Sequence, residues 1–563
     1  MSIVVKNLSY RYPSSEGDVI RDVNLEVKRG EFVLLVGRSG CGKTTLARCL
    51  NGLIPHVYGG ELKGRVLVNG VSVAETPVYE LAKHVGMVFQ NPDTQLCTLT
   101  VEEEVAFGPE NLGVEREEIE RRINWVLSNL EMKNIRHRAT FSLSEGEKQK
   151  TAIASALSML PSILVLDEPT ANLDPTASRM LVDTLEKIRD QYNTTIILIE
   201  HRVEKFAEAA DRIVVMDSGR IVESGPREIV TERAEVLERL SVQTPEIVEI
   251  CKALEMSPVN GSLNDLRKRA LKKLVKLRET DPPPRLSRDE GDPIIKVEDA
   301  FYKYDSGFTL TVDELKLYRG EIVAVVGDNG SGKTTLAKLI VGLIKPKKGR
   351  VERASKINQG MVFQNFEVQL FNSSVFKEVA FQIRKRKASP EDTNRKVNEI
   401  LDLMSLRGLA DRHPHSLSQG EKQRVIIAAL TAEKPDVLIL DEPTTGQDGY
   451  HLNMLLGIVR ELKRRGITVL LITHDLRFAA KSAERVIMLR NGRVVQVEDA
   501  GNAFYSIDEY TGFEPPETVK LARKAGLKNV IKPEDIRALL EARQKNSPLA
   551  TCDKRFKRKK APS

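Results

Sequence analysis

Gly37-Arg38-Ser39-Gly40-Cys41-Gly42-Lys43-Thr44-Thr45 stands between the apolar run Glu31-Phe32-Val33-Leu34-Leu35-Val36 and the stretch Leu46-Ala47-Arg48-Cys49-Leu50. The first flank reads as a buried strand and the second as the opening of a helix. The nine residues between them fit G-x-x-x-x-G-K-[ST], the phosphate-loop pattern. Its glycines let the backbone curl until several N–H groups point at one polyphosphate, and the helix N-terminus adds partial positive charge. Lys43 is expected at the β/γ-phosphates and the Thr44 hydroxyl at Mg²⁺.

The pattern occurs twice. Gly327-Asp328-Asn329-Gly330-Ser331-Gly332-Lys333-Thr334-Thr335 follows a second apolar run, Glu321-Ile322-Val323-Ala324-Val325-Val326. The two lysines lie 290 positions apart, whereas Gln90/Gln364, Ser144/Ser418 and Asp167/Asp441 lie 274 apart and His201/His474 lie 273 apart. A constant offset over so many markers is an internal duplication. The second copy has lost 16 residues between its loop and Gln364, where the first carries the strand-and-turn text Gly64-Arg65-Val66-Leu67-Val68-Asn69-Gly70.

With 563 residues the chain is too long for one core. A hydrophobic content of 41% and a charged content of 29% describe a soluble globular protein. No apolar run is long enough to cross a bilayer, and no signal peptide is visible, so any membrane role is expected to be peripheral. Cys41, Cys49, Cys97, Cys251 and Cys552 form no C-x-x-C pair, which argues against structural zinc, an iron–sulfur cluster or a disulfide framework. The net charge of +7 is mild for this length and demands no nucleic-acid partner. The expected divisions are 1–230 and 292–498 for the two copies, 231–291 for a basic helical segment and linker, and 499–563 for a C-terminal extension. Leu263, Leu266, Leu271, Leu274 and Leu277 lie near helical spacing among Lys and Arg, which suits a helix packed on its own domain better than one on a membrane. Asp281-Pro282-Pro283-Pro284 breaks helix. Lys554 to Lys560 is a basic tail expected to be solvated.

Each copy ends an apolar strand on two acids: Ile163-Leu164-Val165-Leu166-Asp167-Glu168 and Val437-Leu438-Ile439-Leu440-Asp441-Glu442. Adjacent carboxylates at the end of a buried strand are costly unless a cation or substrate meets them. The first acid is placed to help hold Mg²⁺, and the second to orient or deprotonate an attacking water. Pro169-Thr170 and Pro443-Thr444 follow in both copies, which makes chance a poor explanation.

On these residues the chain resembles the ATP-binding-cassette (ABC) ATPases, twice over. Leu143-Ser144-Glu145-Gly146-Glu147 and Leu417-Ser418-Gln419-Gly420-Glu421 resemble the family signature, LSGGQ, with its Ser and second Gly kept. The resemblance implies that Ser144, Gly146, Ser418 and Gly420 contact nucleotide, and that Gln90 and Gln364 sense Mg²⁺. It makes His201 and His474 the histidines that meet the γ-phosphate, and Tyr12 and Tyr304 the aromatics that stack on adenine. Asp174 fits the family's D-loop; Gly446-Gln447-Asp448 lacks its usual Leu. The implied fold is α/β: two tandem P-loop NTPase domains, each a mainly parallel sheet with flanking helices, an antiparallel β subdomain and a helical signature subdomain.

Within the family the text is most similar to energy-coupling-factor (ECF) and cobalt-type importer ATPases. It runs Met87-Val88-Phe89-Gln90-Asn91-Pro92-Asp93-Thr94-Gln95-Leu96 and then Val105-Ala106-Phe107-Gly108-Pro109-Glu110-Asn111. The second copy keeps Met361 to Asn365 and Gln369-Leu370-Phe371 but not the Gly-Pro-Glu-Asn continuation. The resemblance implies ATP and Mg²⁺ as cofactors and hydrolysis of ATP to ADP and phosphate. Its implied partners are integral membrane transport subunits, one for coupling and one for substrate binding, on the cytoplasmic side of the cell membrane. It implies that the two ATPase domains pair within the chain, each loop facing the other's signature, and no direct nucleic-acid binding. Vitamins, their precursors and transition-metal ions are the cargo of such systems, and the text does not choose among them. Two alternatives stay open: a soluble tandem ABC ATPase of ribosome or RNA work, and a fused sugar-importer ATPase, whose second loop typically degenerates. Here Gly332-Lys333-Thr334 is intact.

Overall fold

In the computed structural model, the described residues are 1–546 apart from 14, 16, 172, 202, 257–260, 279–290, 306 and 386–388. Asn172, Cys552, the Pro-rich break at 281–284 and the basic tail at 554–560 lie outside them. Residues 1–245 with 445–450 cluster as one compact unit, and the remainder as the other.

In the first unit, β1 (Ile3–Arg11), β2 (Ile20–Val27), β4 (Glu61–Val68) and β5 (Val71–Ser72) form an antiparallel sheet in the order β2-β1-β4-β5. A second sheet runs β10-β9-β3-β8-β7-β6, built from β3 (Phe32–Gly37), β6 (Val85–Val88), β7 (Ile163–Asp167), β8 (Thr195–Ile199), β9 (Arg212–Asp217) and β10 (Arg220–Pro226). Its pairs are parallel except β9–β10, a hairpin turning through Ser218 and Gly219, both at positive φ.

The parallel strands are unbroken apolar runs because both faces are covered. In the second unit, alternate residues of one strand enter opposite cores. Val323 and Val325 join one cluster with Ile439 and Ile472, while Ile322, Ala324 and Val326 join another with Leu440 and Leu471. The strands of that unit form one nine-stranded sheet. Its members are β11 (Ile295–Lys303), β12 (Thr309–Leu317), β13 (Ile322–Val326), β14 (Lys348–Arg353), β15 (Gln359–Val362), β16 (Val437–Asp441), β17 (Thr468–Ile472), β18 (Arg485–Arg490) and β19 (Arg493–Asp499). The order is β14-β11-β12-β19-β18-β13-β17-β16-β15.

The 16-residue loss leaves the Gly64-to-Val68 strand intact. β14 pairs with β11 as β4 pairs with β1, and Gly349 answers Gly64 at the same kind of positive-φ crossing. The shortening falls on either side of that strand, where the first unit has the helix Leu53–His56 before it and β5 and the helix Val78–Leu81 after it.

Outside the three sheets, the helices Glu246–Ala253 and Leu263–Val275 pack against Glu517–Ala525 and Pro533–Asn546 within the second unit. The apolar stripe of Leu263–Val275 is spent on this packing: Leu263, Leu266, Ala270, Leu274 and Leu277 are buried, with Ala270 taking the place expected of Leu271. Glu246 joins the segments. Its carboxylate accepts from the backbone N–H groups of Glu517 (2.9 Å) and Thr518 (3.3 Å) and from the Thr518 hydroxyl (2.5 Å). No helix among the described residues is long and apolar enough to cross a membrane.

Candidate active site

In the six-stranded sheet β8 lies between β3 and β7, with β6 beyond β7. All four run parallel, so the loop after β3, the acids ending β7, the His after β8 and the Gln after β6 emerge at one edge. Ligands of open parallel sheets bind at that carboxyl edge. The order β18-β13-β17-β16-β15 repeats the arrangement in the second unit.

Gly37 has φ 153° and Gly42 φ 107°, and the helix Lys43–Leu50 begins directly after them. A Cβ on Gly37 would stand 2.1 Å from the Met216 carbonyl oxygen, so only glycine fits; Gly327 meets Leu489 in the same way at 2.3 Å. Lys43 folds back and donates from Nζ to the carbonyls of Gly37 and Arg38, both at 2.9 Å. Lys333 does the same with Gly327 and Asp328, at 2.8 and 2.9 Å. Both ammonium groups are thus held over their loops.

Asp167 and Asp441 are buried, and burial pushes each carboxyl up to about 6 against the pull of the neighbouring Thr44 or Thr334 hydroxyl. Thr334 donates to Asp441 Oδ2 at 2.9 Å. In both aspartates the other oxygen, Oδ1, is buried with no hydrogen-bond partner. A buried, unmatched carboxylate oxygen beside a Thr hydroxyl is the donor set a Mg²⁺ ion completes with phosphate oxygens and water. The residues present therefore fit the ion. Among the described residues no group of three or more His, Cys, Asp or Glu is arranged to hold a metal ion by itself.

Glu168 and Glu442 both sit at φ 49°. A non-glycine residue in that region carries strain of about 1–3 kcal/mol. Its recurrence at the same acid in both units marks a conformation set by the site. Burial pushes both carboxyls up, but His201 or His474, together with Lys43 or Lys333, outweighs it and holds each below its ordinary value. His201 Nε2 stands 2.7 Å from Glu168 Oε1, close but out of line for a hydrogen bond. Gln90 Nε2 donates to Glu168 Oε2 at 2.8 Å. In the second unit His474 Nδ1 bonds Glu442 Oε2 at 2.8 Å, and no Gln364 bond to Glu442 occurs among the described residues. The same residue types therefore meet through different ring nitrogens.

Tyr12 is half-buried; its OH lies 3.3 Å from Thr45 Oγ1 and accepts from Arg48 at 3.2 Å. Its ring makes edge contacts with Tyr10 and Tyr58, and Arg48 covers Tyr58 at 4.5 Å. Tyr304 packs edge-on against Tyr302 and tilts toward Phe308. Tyr12 is thus braced against the end of its loop at Thr45, and Tyr304 against Tyr302 and Phe308.

Ser144 caps the helix Glu145–Ser158 and Ser418 caps Gln419–Thr431. The glutamates replacing the signature's usual Gln have a physical role. Glu147 Oε2 accepts from the Ser144 N–H (2.8 Å) and hydroxyl (3.0 Å), a capping box, and Glu421 repeats it with Ser418 at 2.9 and 2.8 Å. Gly146 and Gly420 follow in the first turn. Asp174 caps Pro175–Tyr192 by accepting from Ala177 N–H at 2.8 Å.

Three features escape a reading of the sequence alone. Gln95 turns inward: its Oε1 accepts from Phe89 N–H and its Nε2 donates to the Met87 carbonyl, as Gln369 does with Phe363 and Met361. Buried Glu104 accepts from Cys97 and Thr98 N–H, and Glu378 from Phe371 and Asn372. Lys148 pairs with Asp93. The 274-residue offset that relates Gln95 to Gln369 and Glu104 to Glu378 was the available signal.

A family model described as ABC transporter matches residues 20–171 and 310–445. A Methanosarcina acetivorans protein provisionally named an ABC transporter ATP-binding protein is 40% identical, over 96% of this chain and 94% of its own length. A Bacillus subtilis protein provisionally named an HMP/thiamine import ATP-binding protein is 33% identical, over 87% of this chain and 90% of its own. Among solved structures, the archaeal ribosome recycling factor aABCE1, in complex with the ribosomal stalk protein aP1, matches with a TM-score of 0.61. It covers 96% of this chain and 97% of that one at 19% identity, a likeness of fold alone.

Proposed function

We propose, from the premise that this chain belongs to the ABC transporter family, that it is the energy-coupling ATPase subunit of an ECF-type membrane importer. It is an ATPase that uses ATP with Mg²⁺. In this reading Lys43 and Lys333 leave their loop carbonyls for phosphate oxygens, and Thr44, Asp167, Gln90 and Thr334, Asp441, Gln364 hold the ion, which neutralises phosphate charge. Glu168 and Glu442 orient the attacking water and accept its proton, while His201 and His474 steady those carboxylates and reach the γ-phosphate. Tyr12 and Tyr304 stack on adenine. Ser144, Gly146, Ser418 and Gly420 contact nucleotide as the two ATPase domains pair.

The observation that carries the importer reading is the segment after Gln90. Gln95, Glu104 and Lys148 hold it in a fixed shape, and its Asn-Pro-Asp-x-Gln text is that of ECF ATPases. The likeness to the Bacillus subtilis HMP/thiamine protein over most of the chain supports the same class. The cargo is a vitamin, a vitamin precursor or a transition-metal ion, recognised by a separate membrane subunit, and the chain acts peripherally at the cytoplasmic face. The reading is tested by affinity purification of the full chain from its native membranes. Recovery of very hydrophobic membrane subunits that stimulate its ATPase is the expected result; recovery of ribosomes without them overturns it in favour of a soluble ribosomal role.

A further inference from the structure

The residue before the catalytic His differs between the two units. In the first it is Glu200, directly after β8, and its side chain is 4% exposed. Its Oε1 accepts two bonds from one residue, the Thr170 N–H at 3.1 Å and the Thr170 hydroxyl at 2.6 Å. Thr170 lies two residues after Glu168, and Glu168 N–H itself donates to the Ile199 carbonyl at 3.0 Å. Two straps therefore join the loop that carries Glu168 to the strand end that carries His201: one backbone bond and one carboxylate.

The second unit has the backbone strap, Glu442 N–H to the Ile472 carbonyl at 2.9 Å, but a different side-chain strap. There Thr473 and Thr444 meet hydroxyl to hydroxyl at 2.8 Å, and both are buried. At the position before the His, the first site thus carries a buried carboxylate, Glu200, where the second carries the buried hydroxyl of Thr473. A carboxyl in a buried site costs free energy unless its hydrogen bonds return it. Burial pushes Glu200 up, as does the charge of Glu168, against the Thr170 bonds and His201. The ATPase chemistry gives Glu200 no role of its own, and a Thr pair closes the same gap in the second unit.

We propose that Glu200 is a positioning residue of the first ATP site, which through Thr170 holds Glu168 and His201 in their hydrolytic arrangement. This rests on the reading of Glu168 and His201 as the catalytic pair. The brace is the acceptor oxygen, not the charge. Glu200→Gln keeps an oxygen for both Thr170 donors, whereas Glu200→Ala leaves those donors unmatched. In that reading the main grip on nucleotide is the loop after β3, which the brace does not touch, so the effect falls on kcat and leaves KM near the parent value.

The test is steady-state phosphate release by the full-length chain, with kcat and KM for ATP measured separately. Glu200→Ala is expected to lower kcat at least twofold with KM unchanged, and Glu200→Gln to restore kcat to near the parent value. Thr170→Val, which conserves volume and removes only the hydroxyl bond, is expected to lower kcat in the same direction; it decides the matter should Glu200→Ala fail to fold. An unchanged kcat in Glu200→Ala and Thr170→Val, an effect on KM alone, or a Glu200→Gln variant as slow as Glu200→Ala each overturns the inference. Glu168→Gln in the same assay separates the two readings. If it releases phosphate at the parent rate, the catalytic assignment itself falls. If it is slow while Glu200→Ala and Thr170→Val match the parent, only the role of Glu200 falls.

Discussion

Lys148 Nζ stands 2.7 Å from Asp93 Oδ1, and 274 residues later Lys422 Nζ stands 2.8 Å from Glu367 Oε1. Each lysine lies on the helix that Ser144 or Ser418 caps, and each acid follows Gln90 or Gln364 by three residues. The pair links the helix proposed to meet nucleotide with the segment proposed to face a membrane subunit. Both acids are about half exposed, and pairs in that setting contribute roughly 0–1 kcal/mol to stability. Stability alone therefore gives little reason for the pair to recur in both units, and mutation can test it as a link for motion.

Asp93→Lys is therefore expected to change the thermal midpoint little and basal ATPase less than twofold. It should reduce stimulation by the proposed membrane subunits several-fold. The exchange Asp93→Lys with Lys148→Asp should restore that stimulation, as interacting pairs do in a double-mutant cycle. Measuring basal and stimulated phosphate release for the singles and the double checks it; a double no better than the singles would sink the link. Gln95 does not belong in such a test, since its replacement would break the Phe89 and Met87 bonds first.

The carboxylates proposed as catalytic give a second expectation. Glu168→Gln and Glu442→Gln keep shape but remove the proton acceptor, so ATP should still bind while turnover of the double variant falls at least ~100-fold. Bound ATP and phosphate release, measured on the same preparation, check both halves of the statement.

What the sequence made legible follows from how local the chemistry is. The loop Gly37 to Thr45, the acids after β7 and the His after β8 are each written in consecutive residues, because a backbone curl or a strand end is a local event. Glu200 with Thr170, Lys148 with Asp93 and Glu246 with Thr518 are partners through space, and no local pattern announces them. The same limit explains the C-terminal helices. The stripe on Leu263–Val275 announces burial, but not that the covering surface lies near Glu517–Ala525, some 250 residues away. Glu147 and Glu421 stand apart: as departures from the family signature their purpose was hidden, and their geometry shows a helix cap.

Gly37→Ala offers a test of the loop itself. A Cβ there meets the Met216 carbonyl oxygen at 2.1 Å, and that oxygen belongs to the backbone of β9, so it does not move aside cheaply. The expected outcome is loss of nucleotide binding at the first site with destabilisation of about 2 kcal/mol or more. Gly40→Ala, whose Cβ would face open space, is expected to cost less despite its positive φ of 76°. Urea unfolding of the two variants side by side checks the order.

The last prediction concerns pH and Mg²⁺ together. Asp167 and Asp441 are pushed up to about 6 in the folded chain, above the usual value near 4 in an unfolded one. Between these values the folded state binds more protons than the unfolded, so without the ion this contribution to stability falls as pH rises from about 4 to about 6. Mg²⁺ reverses the preference, because it binds the ionised carboxylate and must displace any proton there. The rise in thermal midpoint produced by Mg²⁺ with ATP should therefore be small at pH 5, grow through pH 6 and level off by pH 7. ATP with EDTA should show little of that growth. Asp167→Asn with Asp441→Asn should flatten the Mg²⁺-dependent part and make the ion-free chain less sensitive to pH across the same window. Thermal unfolding from pH 5 to 8, with Mg²⁺ and with EDTA, checks both directions at once. A Mg²⁺ effect that is equally large at pH 5 and pH 7 would show that these two aspartates do not hold the ion.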